Sequence, residues 1–521
     1  MTVFSEMFDS LGGIDDRREL ARLVWNAGVT AAMQSEEPAS MLEPASSPPK
    51  PVPTIHLLHE GDDLQKAIDA ANPGDVIELD YRATFVGNFT LPNKVNDGLT
   101  IRGSRLNRLS EGSRVSLVHS KIMPTIVSPN HKPAIQTDFG AHHYDFEGIE
   151  ITTTHDSRER THSNLCLLGW ENGVSATRLE DLPHHIVWDR CYLHGNPNGN
   201  VRTGIGLNGN YIVVKHCHLN DFHEVGSDSF AIMAWNGAGP FLIIDNYLEA
   251  SGENIMFGGA DPTIPDLVPS DIEIVGNFIT KPLSWKQNHP SYAGVPWTVK
   301  NLLELKNARR VVVRGNIMEN SWSHAQIGHA VLFTVRNQSG NAPWSVLDDI
   351  LFTGNIVRAC AHGMSIRGSD DLHDSQQTTK IVIEGNYFYD IGSSTSKEND
   401  VVYDDTGMMF VVATADASKP VQELTIRGNT LTHARGSGRS MVSFSGNVRS
   451  VAKFVYEGNI ASQGKYGFHG TGQGSGIPAL NWGADQWSAK DNQILGKRSK
   501  TSPPDNWYED DMVSRPIKTG V

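Results

Sequence analysis

Carboxylates and cations recur through the middle of this chain in a way that two chemistries could use. Hydrolysis of a glycosidic bond needs two carboxyl groups flanking the bond, about 5 to 9 Å apart. Asp228, Glu253 and Glu304 supply candidates for that pair. Elimination next to a sugar carboxylate needs a base for the proton and a cation to hold the enolate, a part that suits Arg336. His223, beside Glu224 and five residues before Asp228, is a further candidate acid or base, because an imidazole titrates near neutrality. Trp235 offers a flat face on which a sugar ring can stack, and Asn208, Lys306 and Arg367 offer hydrogen bonds and charge for uronate or sulfate groups.

These residues are ordered by a repeat. The frames IVWDRCYL, IVVKHCHL, LIIDNYL, IEIVGNFI, VVVRGNIM, ILFTGNIV, IVIEGNYF, LTIRGNTL and FVYEGNIA share one column, running from Cys191 and Cys217 through Asn246, Asn277, Asn316, Asn355, Asn386 and Asn429 to Asn459. Its steps of roughly 26 to 43 residues are the period of a solenoid. Within each frame the apolar residues alternate and are mostly β-branched, as in Ile272 and Ile274, which predicts strands. A second strand follows in most coils, for example LLELKN, VLFTVRN and MSIRGSD. Short strands stacked turn on turn predict a parallel β-helix. Stacked amides in the column would bond one another and the backbone, which makes the column a fold element and not a site.

Aligning the second strands on their closing turns sends Leu303, Leu305, Phe333, Val335, Met364 and Ile366 inward. The outward file then reads Asn208, Trp235, Gly258, Lys306, Arg336 and Arg367. Like charges on neighbouring coils, roughly 5 Å apart, repel unless something anionic lies between them. Glu304, Asp370 and Asp371 could fill that role as plain surface ion pairs; an acidic glycan could fill it as a ligand.

The repeat with its Asn column resembles the right-handed parallel β-helix proteins of the pectate-lyase-like superfamily, over roughly residues 54 to 480. The opening IHLLHEGDDLQKAIDAANPGDVIEL resembles the usual start of those proteins, a short helix (Leu64, Ile68, Ala71) capping the first coil. The resemblance implies an all-β, single-stranded solenoid. It also implies a polysaccharide as partner and cleavage by a lyase or a glycoside hydrolase, with calcium as the cofactor if the activity is a lyase's. The alternative it leaves open is a non-catalytic structural or adhesive virion component, a tailspike, tail or shell protein, forming a homotrimer or larger assembly. No lyase signature such as RxPxxR is present, so no family catalytic residue is carried over.

Composition narrows the partners. The 59 acidic against 44 basic residues give a formal charge of −15, which argues against nucleic acid or an anionic membrane. The four cysteines, Cys166, Cys191, Cys217 and Cys360, have no CxxC spacing, and no metal ligand is assigned. Cys191 and Cys217 should stack at the strand spacing, more readily as buried thiols than as a bridge. The histidine clusters AHHYD, LPHHIVWD, KHCHLNDFHE and SHAQIGHA read as turn and surface residues. No apolar run approaches the roughly 20 residues of a membrane span, and the N-terminus lacks a secretory pattern, so a cytoplasmic or virion-associated location is expected.

Three segments follow. Residues 1–53 read as a helical leader (Leu20, Leu23, Val24) and a Pro/Ala/Ser linker, 54–483 as the β-helix, and 484–521 as a polar tail that loses the repeat. Insertions at SWKQNHPSYAGVPWTVKN, VRNQSGNAPWSVLDD and SSTSKENDVVYDDTG should build the binding surface on one face.

Overall fold

A computed structural model describes residues 53–94, 98–392, 397–398, 401–402, 407–435 and 437–509. The helical leader, and ten of the fifteen residues of the insertion at 393–407, lie outside the described residues.

Among the described residues the chain winds through three long sheets in rotation. The first and second sheets have 14 strands each and the third 13. Each strand pairs with its counterparts one coil before and one coil after, and the pairing is parallel except at Gly474–Ser475, where the third sheet ends on an antiparallel strand. Equal register is what lets a β-branched pattern specify this: Ile212, Phe241, Ile272, Val311, Ile350 and Ile381 form one unbroken inward file. The core is continuous from the capping helix Leu64–Ala70, which buries Leu64 and Ile68, to Ile494 and Tyr508 at the other end.

The corner between the first and second sheets holds the amide column. Asn316 is representative: its Nδ2 donates to Asn355 Oδ1 at 2.9 Å and to Ile274 O at 2.8 Å, while its Oδ1 accepts from Asn277 N–H and Nδ2. The preceding residue must be left-handed. Gly276, Gly315, Gly354 and Gly385 meet that with φ between 61° and 66°, and earlier coils manage it with Arg190, His216 and Asp245 at φ 51° to 56°. Where Cys replaces Asn, the geometry survives with sulfur: Cys191 N–H points at Cys217 Sγ at 3.3 Å, and Cys217 N–H donates to Asn246 Oδ1. All four cysteines are free and buried, so the stacked pair is two thiols.

A second file stands on the outer edge of the first sheet, one residue before the inward file. It begins with rings, His143, His185 and Tyr211, and continues after Pro240 as Asp271, Arg310, Asp349, Lys380, Glu423 and Lys453, alternating in sign. Arg310 Nε lies 2.6 Å from Asp271, and Lys453 Nζ 3.5 Å from Glu423.

Two expectations are corrected. The segment after Ala484 keeps the repeat: Ala484–Lys490 joins the first sheet and Gln493–Leu495 the second, while Asn492 and Asn506 extend the amide column. Its polar composition hid this because an end coil exposes more of its surface. One member of the outward file, Arg336, was also slipped by two residues, while Asn208, Trp235, Gly258, Lys306 and Arg367 stand in register. Val331, not Phe333, pairs with Leu303 and Met364, so Thr334 is the partner of Arg367. Arg336 lies past the end of its strand, where its N–H donates to Lys306 O at 2.9 Å. Counting back from a turn failed because the coils close with turns of unequal length.

Two outcomes follow from the corner. Asn316→Ala strips partners from Asn277 and the Ile274 carbonyl and should lower unfolding stability by roughly 3 kcal/mol or more in a urea titration. The four thiols should stay unreactive toward a thiol reagent in the native chain and react together only in denaturant, with no change on adding reductant.

Candidate functional site

The three carboxylates come from three successive coils of the third sheet. Asp228 precedes the strand Phe230–Ala234, Glu253 opens Glu253–Phe257, and Glu304 is the centre of Leu303–Leu305. The ladder sets Phe230 beside Glu253 and Met256 beside Glu304. The insertion at 284–301 then returns across this corner. Thr298 N–H donates to Glu224 O, Gly226 N–H to Thr298 Oγ1 and Lys300 N–H to Ser251 O, while Trp285, Trp297 and Val299 pack with Trp322 in an apolar cluster of their own.

That return delivers Lys300, which the sequence reading missed. Its Nζ lies 2.5 Å from Asp228 Oδ1 and 3.4 Å from Glu253 Oε1. The two oxygens are therefore no more than about 6 Å apart, below the roughly 6.5 to 9.5 Å of an inverting glycosidase pair. Glu304 sits next to them, accepting from Asn301 Nδ2 at 2.9 Å, with Lys306 Nζ at 3.5 Å.

Glu253 is the unusual member. Its side chain is 0% exposed and neither carboxyl oxygen has a hydrogen-bond partner. Burial, reinforced by the negative charges of Glu304 and Asp228, pushes its carboxyl up to about 8. Asp228, by contrast, is 35% exposed and holds the short contact to Lys300. One carboxyl that keeps its proton beside one that faces solvent and a cation is the arrangement that separates acid from base.

Lys281 was also missed, since nothing in the frame NFITK marks it. It is fully buried, and its Nζ donates to Ala250 O, Gly252 O and Asn254 Oδ1 at 2.6 to 2.8 Å, holding two carbonyls before Glu253 and the side-chain amide after it. Burial brings this amine down to about 7.

The remaining candidates fall elsewhere. Arg336 is held 2.6 Å from Asp370 and 2.5 Å from Asp371, Arg367 pairs with Asp371, and neither hydrogen bond nor ion pair joins Arg336 to the three carboxylates. The protein's own aspartates thus lie between the like charges. His223 is buried, with its ring stacked 3.7 Å from Trp297 and edge-on to Trp285, and both its nitrogens lack partners. Burial drives it down to about 3, so it is an apolar-box residue and not the acid or base expected of it. Asn208 is buried too, with its Oδ1 accepting from Trp235 N–H and Asn236 N–H at 3.0 Å, so it shapes a turn and is not available to a ligand. Trp235 is half-buried beside that turn. Among the described residues no group of three or more carboxylates converges as calcium ligands would; an ammonium stands between Asp228 and Glu253 instead.

No helix among the described residues is long and apolar enough to cross a membrane. No protein-family model matches the chain, and no curated protein matches it. Among solved structures it is similar to the catalytic unit of a thermostable GH87 alpha-1,3-glucanase from Streptomyces thermodiastaticus, with TM-score 0.52 and 13% identity over 86% of this chain and 68% of that one. A tailspike protein variant of E. coli bacteriophage HK620 in complex with a pentasaccharide matches at TM-score 0.46 and 12% identity, over 84% of this chain and 64% of the tailspike, so the chain spans less than two thirds of that protein. An alginate lyase from Paenibacillus matches at TM-score 0.29 and 13% identity, over 85% and 98% of the two chains. At such identities the likeness is one of fold.

The buried acid has a stability signature. Glu253 binds its proton up to about pH 8 when folded and near 4.5 when unfolded, so the native state holds more protons across that window. Its contribution to stability is fully present below about pH 4.5 and is lost as pH rises through 8. Glu253→Gln should therefore equal the wild type near pH 4.5 and exceed it near pH 8 to 9, by up to a few kcal/mol in urea unfolding. Parallel pH profiles for the two proteins would show that Glu253 is ionised at neutrality.

Proposed function

We propose that this chain, a right-handed parallel β-helix, binds a polysaccharide along the solvent face of its third sheet and hydrolyses a glycosidic bond there. Glu253 is the proton donor and Asp228 its ionised partner. The observation that carries the reading is the fully buried Glu253, whose carboxyl accepts no hydrogen bond, beside the part-exposed Asp228, with Lys300 paired to both. The glucanase shares the fold and contributes no substrate to the argument.

In this mechanism Glu253 gives its proton to the glycosidic oxygen as the bond to the anomeric carbon breaks. Asp228 meets the developing positive charge on the other side of the ring, and the spacing of the two oxygens suits direct attack by the carboxylate better than activation of an intervening water. Water then releases the sugar, with Glu253, now ionised, accepting its proton. Lys300 compensates charge when both carboxylates are ionised. Glu253 is fully buried with the Lys300 ammonium beside it, so in this reading the Lys300 side chain turns aside as a glycan enters. Trp235 stands on an adjacent coil as a stacking face.

Incubation with a panel of neutral and acidic polysaccharides should yield new reducing ends without unsaturated products. Glu253→Gln and Asp228→Asn should each lower turnover by about 10²- to 10⁴-fold while glycan binding persists, and Trp235→Ala should weaken binding. Full activity in Glu253→Gln, or unsaturated products, would remove this assignment.

A further inference from the structure

Far from the carboxylates, two histidine pairs open neighbouring strands of the first sheet. His142 and His143 begin one strand, His184 and His185 the next, and the ladder sets His184 beside His142. Within each pair the Nδ1 atoms face each other, at 2.8 Å in the first and 2.7 Å in the second. Adjacent strand residues normally point to opposite sides. Here the second residue of each pair is left-handed, with φ 56° at His143 and 54° at His185, and the two rings converge.

The coils then stack these pairs into a block. His142 lies over His184 with ring centroids 4.8 Å apart, and His143 over His185 at 4.5 Å, both within 6° of parallel. Tyr211, from the coil after, stacks on His185 at 4.5 Å. One ligand nitrogen from each of His143, His184 and His185 lies within 4.8 Å of the other two. His143 and His185 are exposed, so the nitrogens can be reached from solvent. Beside the block is a depression of about 400 Å³ lined by His143, His185, Tyr211 and Asp145, with Val187 and Leu242 in its wall.

We propose that His143, His184 and His185 bind a divalent transition-metal ion, of the class of zinc, cobalt or nickel, leaving one coordination position for water or a small ligand in the adjoining depression. Imidazole nitrogen selects this class over calcium and magnesium, which take oxygen. An ion bonded at about 2.0–2.1 Å in a tetrahedron holds its nitrogens roughly 3.3 Å apart. The three nitrogens lie within 4.8 Å of one another, so rotation of the exposed rings would draw them to that separation. Within each pair the converging Nδ1 atoms share a hydrogen bond, which an ion held by His184 and His185 would replace in the second pair.

The test uses the full chain, prepared without a histidine tag and stripped of metal. Titration with cobalt(II) should give the visible absorption of a tetrahedral site at one ion per chain, discharged by zinc(II) and unaffected by calcium. The double variant His143→Gln/His185→Gln alters two exposed rings and should lose that spectrum, while its far-ultraviolet dichroism matches the wild type. His142→Gln, outside the ligand set, should keep it. Absence of saturable binding at micromolar cobalt overturns the proposal. So does a spectrum that survives in the double variant, which would place the ion at another histidine cluster, or one that His142→Gln removes.

Discussion

Everything in this molecule depends on coils being held in register, and the amide column is the interaction that holds them. A parallel sheet alone tolerates a slip, since its backbone bonds repeat at every second residue. The corner does not: each Asn Nδ2 donates both to the next amide and to a carbonyl of the preceding coil, so a slip would leave several buried polar groups without partners at once. That constraint turns a one-dimensional pattern into aligned files of side chains. The inward file becomes the core, and the outward files place chemistry from distant parts of the sequence about 4.8 Å apart.

The carboxylate corner shows what such alignment costs. Three acidic groups on successive coils repel, and the fold relieves this in two ways. It brings in ammonium groups, Lys300 from the returning insertion and Lys306 from the sheet, and it leaves Glu253 protonated. Lys281 adds a third amine directed at backbone carbonyls and an amide oxygen, not at carboxylates, so its work is to fix the turn that presents Glu253. Electrostatics and turn geometry are therefore coupled at one residue.

The fold was legible because the apolar alternation, the Gly-Asn corners and the capping helix are each local signals, and all agreed. Asp228, Glu253 and Glu304 could be placed together because coil order is fixed by the repeat. What could not be read were facts set by insertions: Lys300 arrives from a loop whose path no periodicity describes, and His223 is buried by tryptophans from that same loop. The two-residue slip that misplaced Arg336 has the same origin, turns of unequal length between strands of equal register. The histidine pairs were visible as clusters, but their convergence rests on left-handed backbone at His143 and His185, which the sequence does not announce.

The charged file on the edge of the first sheet carries one more consequence. From Asp271 to Lys453 its members alternate in sign on successive coils, and each exposed contact contributes only a few tenths of a kcal/mol. Together they impose a parity on the solenoid. Loss or duplication of one coil in this stretch would bring like charges face to face at the seam, whereas loss or duplication of two would restore the alternation. Growth and shrinkage of this half of the molecule are thus easier in pairs of coils than singly, a bias written in residues that touch neither the core nor the carboxylates.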